Sequence, residues 1–190
     1  IRKDSAGTRT LFADNWPDRA QRWLPVQDHP SDKATVTWRV EVPADYSVIA
    51  NGKLVKVDTL ARNRVAWHYR MDDPIPTYGM VLGAGRLAIV PLTPQGCTAP
   101  CIPQAAWAYP ADSAYAAQAF APAPAIMEYF TGLFGPFPYP SLAHVQSSTI
   151  FGGSENATAI FYSDKLYARR AVGEDLVAHE MAHQWYGDAV

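Results

Sequence analysis

From Ala34 to Val42 the apolar side chains Val36, Trp38, Val40 and Val42 alternate with Thr35, Thr37, Arg39 and Glu41. A strict period of two commits that segment to a strand with one buried face. Val65, Trp67, Tyr69 and Met71 repeat the pattern, so a sheet is expected rather than an isolated strand. Ser47 to Ala50 and Lys53 to Val57 flank Asn51-Gly52, and both turn residues tolerate positive φ, which predicts a type I′ hairpin between them. Tyr78 to Leu82 and Arg86 to Val90 add short strands around Gly83 and Gly85, so residues 1 to about 104 read as mostly antiparallel sheet.

The pattern changes after the proline-rich stretch, and residues 103–110 form the best candidate boundary. Ile126, Phe130, Leu133 and Phe134 fall at helical spacing after Pro124, and Gly135 with Pro136, Pro138 and Pro140 predicts the stop. His144 to Ile150 and Ala159 to Tyr162 read as strands separated by the loop Gly152-Gly153-Ser154-Glu155-Asn156. A last helix is expected from about Gly173 to Tyr186, with Glu174 and Asp175 in the first turn, where the helix dipole favours negative charge. The fold class is α+β, an antiparallel β domain over 1–104 followed by a domain with helices over 105–190.

At 190 residues and 48% hydrophobic content the chain can bury a core. Its 16 basic and 18 acidic residues give a net charge of -2 with no basic block, which argues against a nucleic-acid partner. No apolar run reaches the roughly 18 residues of a membrane span. Ile1-Arg2-Lys3-Asp4 is neither a start methionine nor a signal-peptide opening, so the chain is expected to begin and end within a longer protein. Cys97 and Cys101, with three residues between them in a proline-bearing stretch, favour a local disulfide over free thiols. That favours a periplasmic or secreted protein over a cytoplasmic one.

The chemistry lies in His179-Glu180-Met181-Ala182-His183. Spacing i, i+4 stacks both imidazoles on one helical face within reach of one zinc ion, with Glu180 beside them. Zinc lowers the pKa of a bound water to about 7 and polarises a carbonyl, while a carboxylate at Glu180 takes the water's proton and passes it to a leaving amine. A buried glutamate between two histidines is costly unless something compensates it, which weighs against chance.

Gly152-Gly153-Ser154-Glu155-Asn156 resembles the G-[AG]-M-E-N loop of the M1 family of zinc aminopeptidases, and His179 to Gly187 resembles its H-E-[LM]-A-H-Q-W-[FY]-G helix. Pro25, Asp28, Pro30, Lys33 and Ala34 match the family's P-x-F-D-E-P-x-x-K-A stretch, and Thr77, Tyr78 and Gly85 match its S-T-Y-L-x-x-x-x-x-G strand. The resemblance implies the end of a saddle-shaped β domain followed by a truncated thermolysin-like, gluzincin catalytic domain. It implies that Glu155 binds the free α-amine of a peptide while Gly152 and Gly153 lay backbone alongside it, which would make an exopeptidase by proximity. The family's third zinc ligand, a glutamate about eighteen residues after the second histidine, and its oxyanion tyrosine would fall beyond Val190. The piece alone is therefore expected to hold zinc weakly, to turn over little, and to self-associate through uncovered apolar surface.

Ser154 stands where the family has methionine, and Leu11 stands near a glutamine that lines the pocket for the first side chain, so pocket preference departs from the pattern. Two alternatives stand beside the aminopeptidase: a relative that also opens a lipid epoxide, and a non-catalytic peptide-binding or scaffold fragment. Retention of His179, Glu180 and His183 argues against decay. His29, His68 and His144, the six tryptophans, and Asp18, Arg19 and Arg22 read as structural or solvated residues.

Overall fold

The computed structural model describes residues 2–4, 6–97 and 101–189. Two compact units, residues 1–87 and 88–190, divide the chain.

In the first unit β1 (Arg2–Lys3), β2 (Arg9–Ala13), β4 (Ser47–Ala50) and β7 (Leu82–Gly85) form one sheet in the order β1-β2-β7-β4. A second sheet runs β3-β6-β5, from β3 (Ala34–Pro43), β5 (Lys53–Leu60) and β6 (Arg64–Ile75). Every pairing in both sheets is antiparallel. The period-two reading holds for β3 and for the Tyr69–Met71 part of β6: Trp38 lies opposite Tyr69, and Trp38, Val42, Tyr69 and Met71 are buried while Arg39, Glu41 and Arg70 are exposed, although Ala66 on the other face of β6 is buried too. Tyr69 extends across to the other sheet, where its hydroxyl donates to Val48 O at 2.7 Å.

The Asn51-Gly52 hairpin is not formed. β4 pairs with β7 and β5 pairs with β6, so the turn carries the chain from one sheet into the other. The cause is the Asn51 side chain, which is buried and spent on a distant segment: Nδ2 donates to Gly79 O at 2.8 Å and Oδ1 accepts from Val81 N at 2.6 Å. Gly52 has φ +86°, and a Cβ there would stand 2.2 Å from Arg70 O. Gly52→Ala is expected to lower stability by about 2–4 kcal/mol, from positive φ and overpacking against backbone, read as a drop in denaturant midpoint. An unchanged midpoint would show that the turn relaxes freely. The expected strand from Tyr78 also differs, because Thr77–Gly79 forms a 3₁₀ turn ahead of β7.

The second unit holds the sheet β11-β12-β10-β9-β8. Its strands are β8 (Ala88–Pro91), β9 (Gln104–Ala108), β10 (Leu142–Ser147), β11 (Gly153–Ser154) and β12 (Ala159–Ser163). The central strands β9, β10 and β12 are parallel, and the edges β8 and β11 are antiparallel to their neighbours. β8 therefore belongs to this sheet, and the division at 87/88 falls ahead of the boundary expected at 103–110. β9 lies inside that stretch; its alanine-rich segment is almost wholly buried, so it shows no alternation. Cys97 and Cys101, in the connection between β8 and β9, form a disulfide.

Helices α1 (Ser113–Ala119), α2 (Ala123–Phe134), α3 (Asp164–Ala168) and α4 (Glu174–Ala182) complete the unit. α2 ends at Gly135 with φ 94°, as the glycine and prolines predict. Phe120 fills the core between His144 and Tyr162, each ring 4.8 Å away. His144 is fully buried, bonded at 3.2 Å to both Tyr162 Oη and Gln104 Oε1, and burial pushes its imidazole down to about 3. Trp185 packs against Phe137 at 5.2 Å, and its indole N–H donates to Gly135 O and Pro136 O.

The last helix is shorter than its periodicity implies. Regular α4 stops at Ala182, and beyond it Tyr186 (φ -116°, ψ 98°) and Gly187 (φ 128°) leave helical geometry. Trp185 is drawn to the end of α2 and Gln184 to a loop, and Gly187 supplies the positive φ for the turn.

Candidate active site

A separation of four residues, little more than one helical turn, brings His179 on α4 and His183 at its C-cap together, and their Nε2 atoms stand 3.3 Å apart. Two nitrogens bound at about 2.0–2.1 Å to a tetrahedral zinc are separated by about 3.3 Å, so the pair has the spacing of two ligands on one ion. His183 Nδ1 lies 3.0 Å from Tyr186 O, and because a carbonyl only accepts, that nitrogen carries the proton. In the neutral ring that leaves the lone pair on Nε2, facing His179, the form a metal ligand requires. The turn after α4 thus favours the tautomer with the proton on Nδ1. Among the described residues no group of three or more His, Cys, Asp or Glu is gathered to hold a metal. The two imidazoles fit zinc as two of its ligands.

Glu180 is turned inward, with 5% of its surface exposed. Burial first, and the Glu155 carboxylate second, push its carboxyl up to about 7. Its side chain lies against the loop backbone: a Cβ on Gly153 would be 2.1 Å from Oε1, so any larger residue there forces Glu180 to move. Glycine is required by this close approach, since its φ is not in the positive region.

The loop residues divide into two kinds. Gly153 and Ser154 form the short edge strand β11 against β12, which its glycine and its two-residue length hid from strand patterning. Ser154 and Asn156 are buried, and Ser154 Oγ donates to Asn156 Oδ1 at 3.3 Å while Asn156 Nδ2 donates to Ser154 O at 3.2 Å. Their side chains shape the loop. Gly152 accepts from Ser163 N at 3.1 Å. Glu155 is half-buried, and its charge is felt at Glu180. So the structure pairs His179 with His183 and brings Gly153 and Glu155 to Glu180, while Ser154 and Asn156 bond within the loop.

Sequence reasoning did not single out Gln184. It is fully buried, its Nε2 donates to Glu155 O at 2.6 Å and Asp188 Oδ2 at 2.8 Å, and its Oε1 accepts from Thr158 N at 2.9 Å. Its position directly after His183 was the available signal.

A family model for the Peptidase M1 N-terminal domain matches residues 4–78. Leucine aminopeptidase 2 of Ajellomyces capsulatus is 28% identical over 178 residues, 90% of this chain and 27% of that protein. Aminopeptidase B of Mus musculus is 29% identical over 175 residues, 88% of this chain and 24% of that protein. The chain spans about a quarter of the length of these curated relatives. Among solved structures, native yeast LTA4 hydrolase superposes with a TM-score of 0.81 at 21% identity, over 98% of this chain and 28% of its own. An M1 zinc metallopeptidase from Deinococcus radiodurans superposes with a TM-score of 0.71 at 24% identity, over 94% of this chain and 40% of its own. A mutant of the Deinococcus radiodurans enzyme bound to a Tyr-Ser-Ala substrate gives a TM-score of 0.76 at 23% identity, over 98% of this chain and 42% of its own. These structural likenesses concern the fold.

Proposed function

We propose that this chain is part of an M1-type peptidase, as the match of residues 4–78 to the M1 N-terminal domain supports, and that it carries the zinc-binding and amine-recognising part of an aminopeptidase. The observation that carries the reading is the 3.3 Å approach of the two imidazole Nε2 atoms beside buried Glu180. His179 and His183 would hold zinc, which when bound supplies Lewis acidity toward a peptide carbonyl. Glu180 is the general base: its carboxylate takes a proton from the attacking water and returns it to the departing nitrogen, so the amide becomes an acid and an amine. A cation on the imidazole pair favours the carboxylate form of Glu180 over the protonated form that burial favours. Glu155 pairs with the ammonium of the substrate's first residue, which sets the first peptide bond beside Glu180. The Cys97–Cys101 bond supports synthesis in an oxidising compartment, periplasmic or extracellular.

Glu155→Ala tests the exopeptidase reading. In the protein at its full natural length, kcat/KM for an amino-acid anilide with a free α-amine is expected to fall about 10²-fold, while residual turnover of the N-acetylated anilide changes little. Equal losses on both substrates would remove Glu155 from amine recognition.

A further inference from the structure

We propose that Gln184 is a positioning residue for amine recognition, fixing Glu155 relative to His183 and Glu180. The inference rests on the reading of Glu155 as the amine ligand.

Gln184 follows His183 directly, so its backbone is tied to the metal helix, yet its amide is spent on the loop. Both donors and the carbonyl are engaged, and only one amide orientation satisfies the three partners, because Glu155 O and Asp188 Oδ2 accept while Thr158 N donates. Asp188 Oδ2 on one side and Glu155 O on the other hold the NH₂ group in a fixed plane. The loop backbone is thereby gripped at Glu155 and at Thr158, on either side of Asn156.

Thr158 adds an independent observation. It has φ 66°, a left-handed conformation that a β-branched residue adopts only where its surroundings impose it. The amide N–H of that residue is the one that Gln184 Oε1 accepts. Ser154 and Asn156 bond within the loop and determine its shape. Gln184 determines where that shape sits relative to α4. A shift of about 1 Å in a charged ligand weakens an ion pair and misplaces the reacting bond, so the expected consequence falls on substrate binding through the amine.

The test uses the protein at its full natural length, loaded with zinc, in four forms: wild type, Gln184→Met, Glu155→Ala and the double variant. Methionine keeps the length of glutamine and removes its donors and acceptor. Thermal unfolding and zinc content are measured for each form, and kinetics use a free-amine anilide and its N-acetylated counterpart. Gln184→Met is expected to raise KM for the free-amine substrate at least about tenfold, with kcat changed less than about threefold and the acetylated substrate unaffected. Because Gln184 acts through Glu155, the double variant is expected to be no worse than Glu155→Ala alone. Equal losses on both substrates, or losses that multiply in the double variant, would overturn the proposal. Should the methionine variant fail to fold, Gln184→Glu keeps the acceptor for Thr158 N and loses the donors; the same rise in KM is expected, and an unchanged KM would overturn the proposal. If Glu155→Ala itself shows no amine discrimination, the amine-ligand reading fails and this inference with it. Discrimination lost in Glu155→Ala but kept in both Gln184 variants defeats this inference alone.

Discussion

Glu180→Gln is expected to lower turnover about 10²–10⁴-fold while leaving zinc content unchanged. The amide has nearly the volume of the carboxylate, so the contact with Gly153 survives and the imidazole pair of α4 keeps its place. What is lost is the ability to accept a proton. Burial and Glu155 hold the carboxyl up to about 7 in the metal-free protein, and a cation on the imidazoles opposes them. Activity carried by the carboxylate rises with pH through that group's pKa, so the acidic limb of the wild-type profile should be absent from the residual activity of the variant. Zinc is measured by elemental analysis on dialysed protein and turnover on a free-amine anilide. Near wild-type kcat with zinc retained would reject Glu180 as the base.

Acid should destabilise the second unit through His144. Its folded pKa is depressed to about 3 by burial, below an unfolded value near 6.5. Above pH 6.5 both states are neutral and the full stability is present. As pH falls from 6.5 toward 3, the unfolded chain takes up a proton that the folded core refuses, and the folded state loses on the order of 4–5 kcal/mol. Glu180 acts in the opposite sense, because a raised carboxyl pKa favours the metal-free folded state as pH falls through 7. The two are separated by comparison with His144→Gln, which removes only the imidazole. In denaturant titrations between pH 7 and 3 the stability advantage of wild type over the variant should shrink by that amount. Parallel pH dependences would show that His144 does not carry the effect.

The parts of the fold legible in the sequence are those where burial is one-sided. β3 and the Tyr69–Met71 part of β6 bury one face, so their period of two is visible in Trp38, Val42, Tyr69 and Met71. β9 is almost wholly buried, and its alanines leave no alternation to read. Asn51-Gly52 has the composition of a hairpin turn, but the Asn51 amide serves Gly79 and Val81, about thirty residues downstream, and local pattern does not register such a partner. The site divides in the same way. His179, Glu180 and His183 are set by helical spacing alone, whereas the partners of Gln184, Glu155 and Thr158, lie 29 and 26 residues away.

The grip of Gln184 on Glu155 and Thr158 bears on how this site could be transplanted. A designer moving residues 152–158 into another helical scaffold would carry the carboxylate without the amide that orients it. The recipient would need glutamine directly after the second histidine of its own helix, and an acidic partner four residues further on, where Asp188 stands here. Loop and helix end therefore behave as one cassette split across two places in the gene, and exchange of either half alone is expected to give a protein that folds but has lost its preference for chain termini.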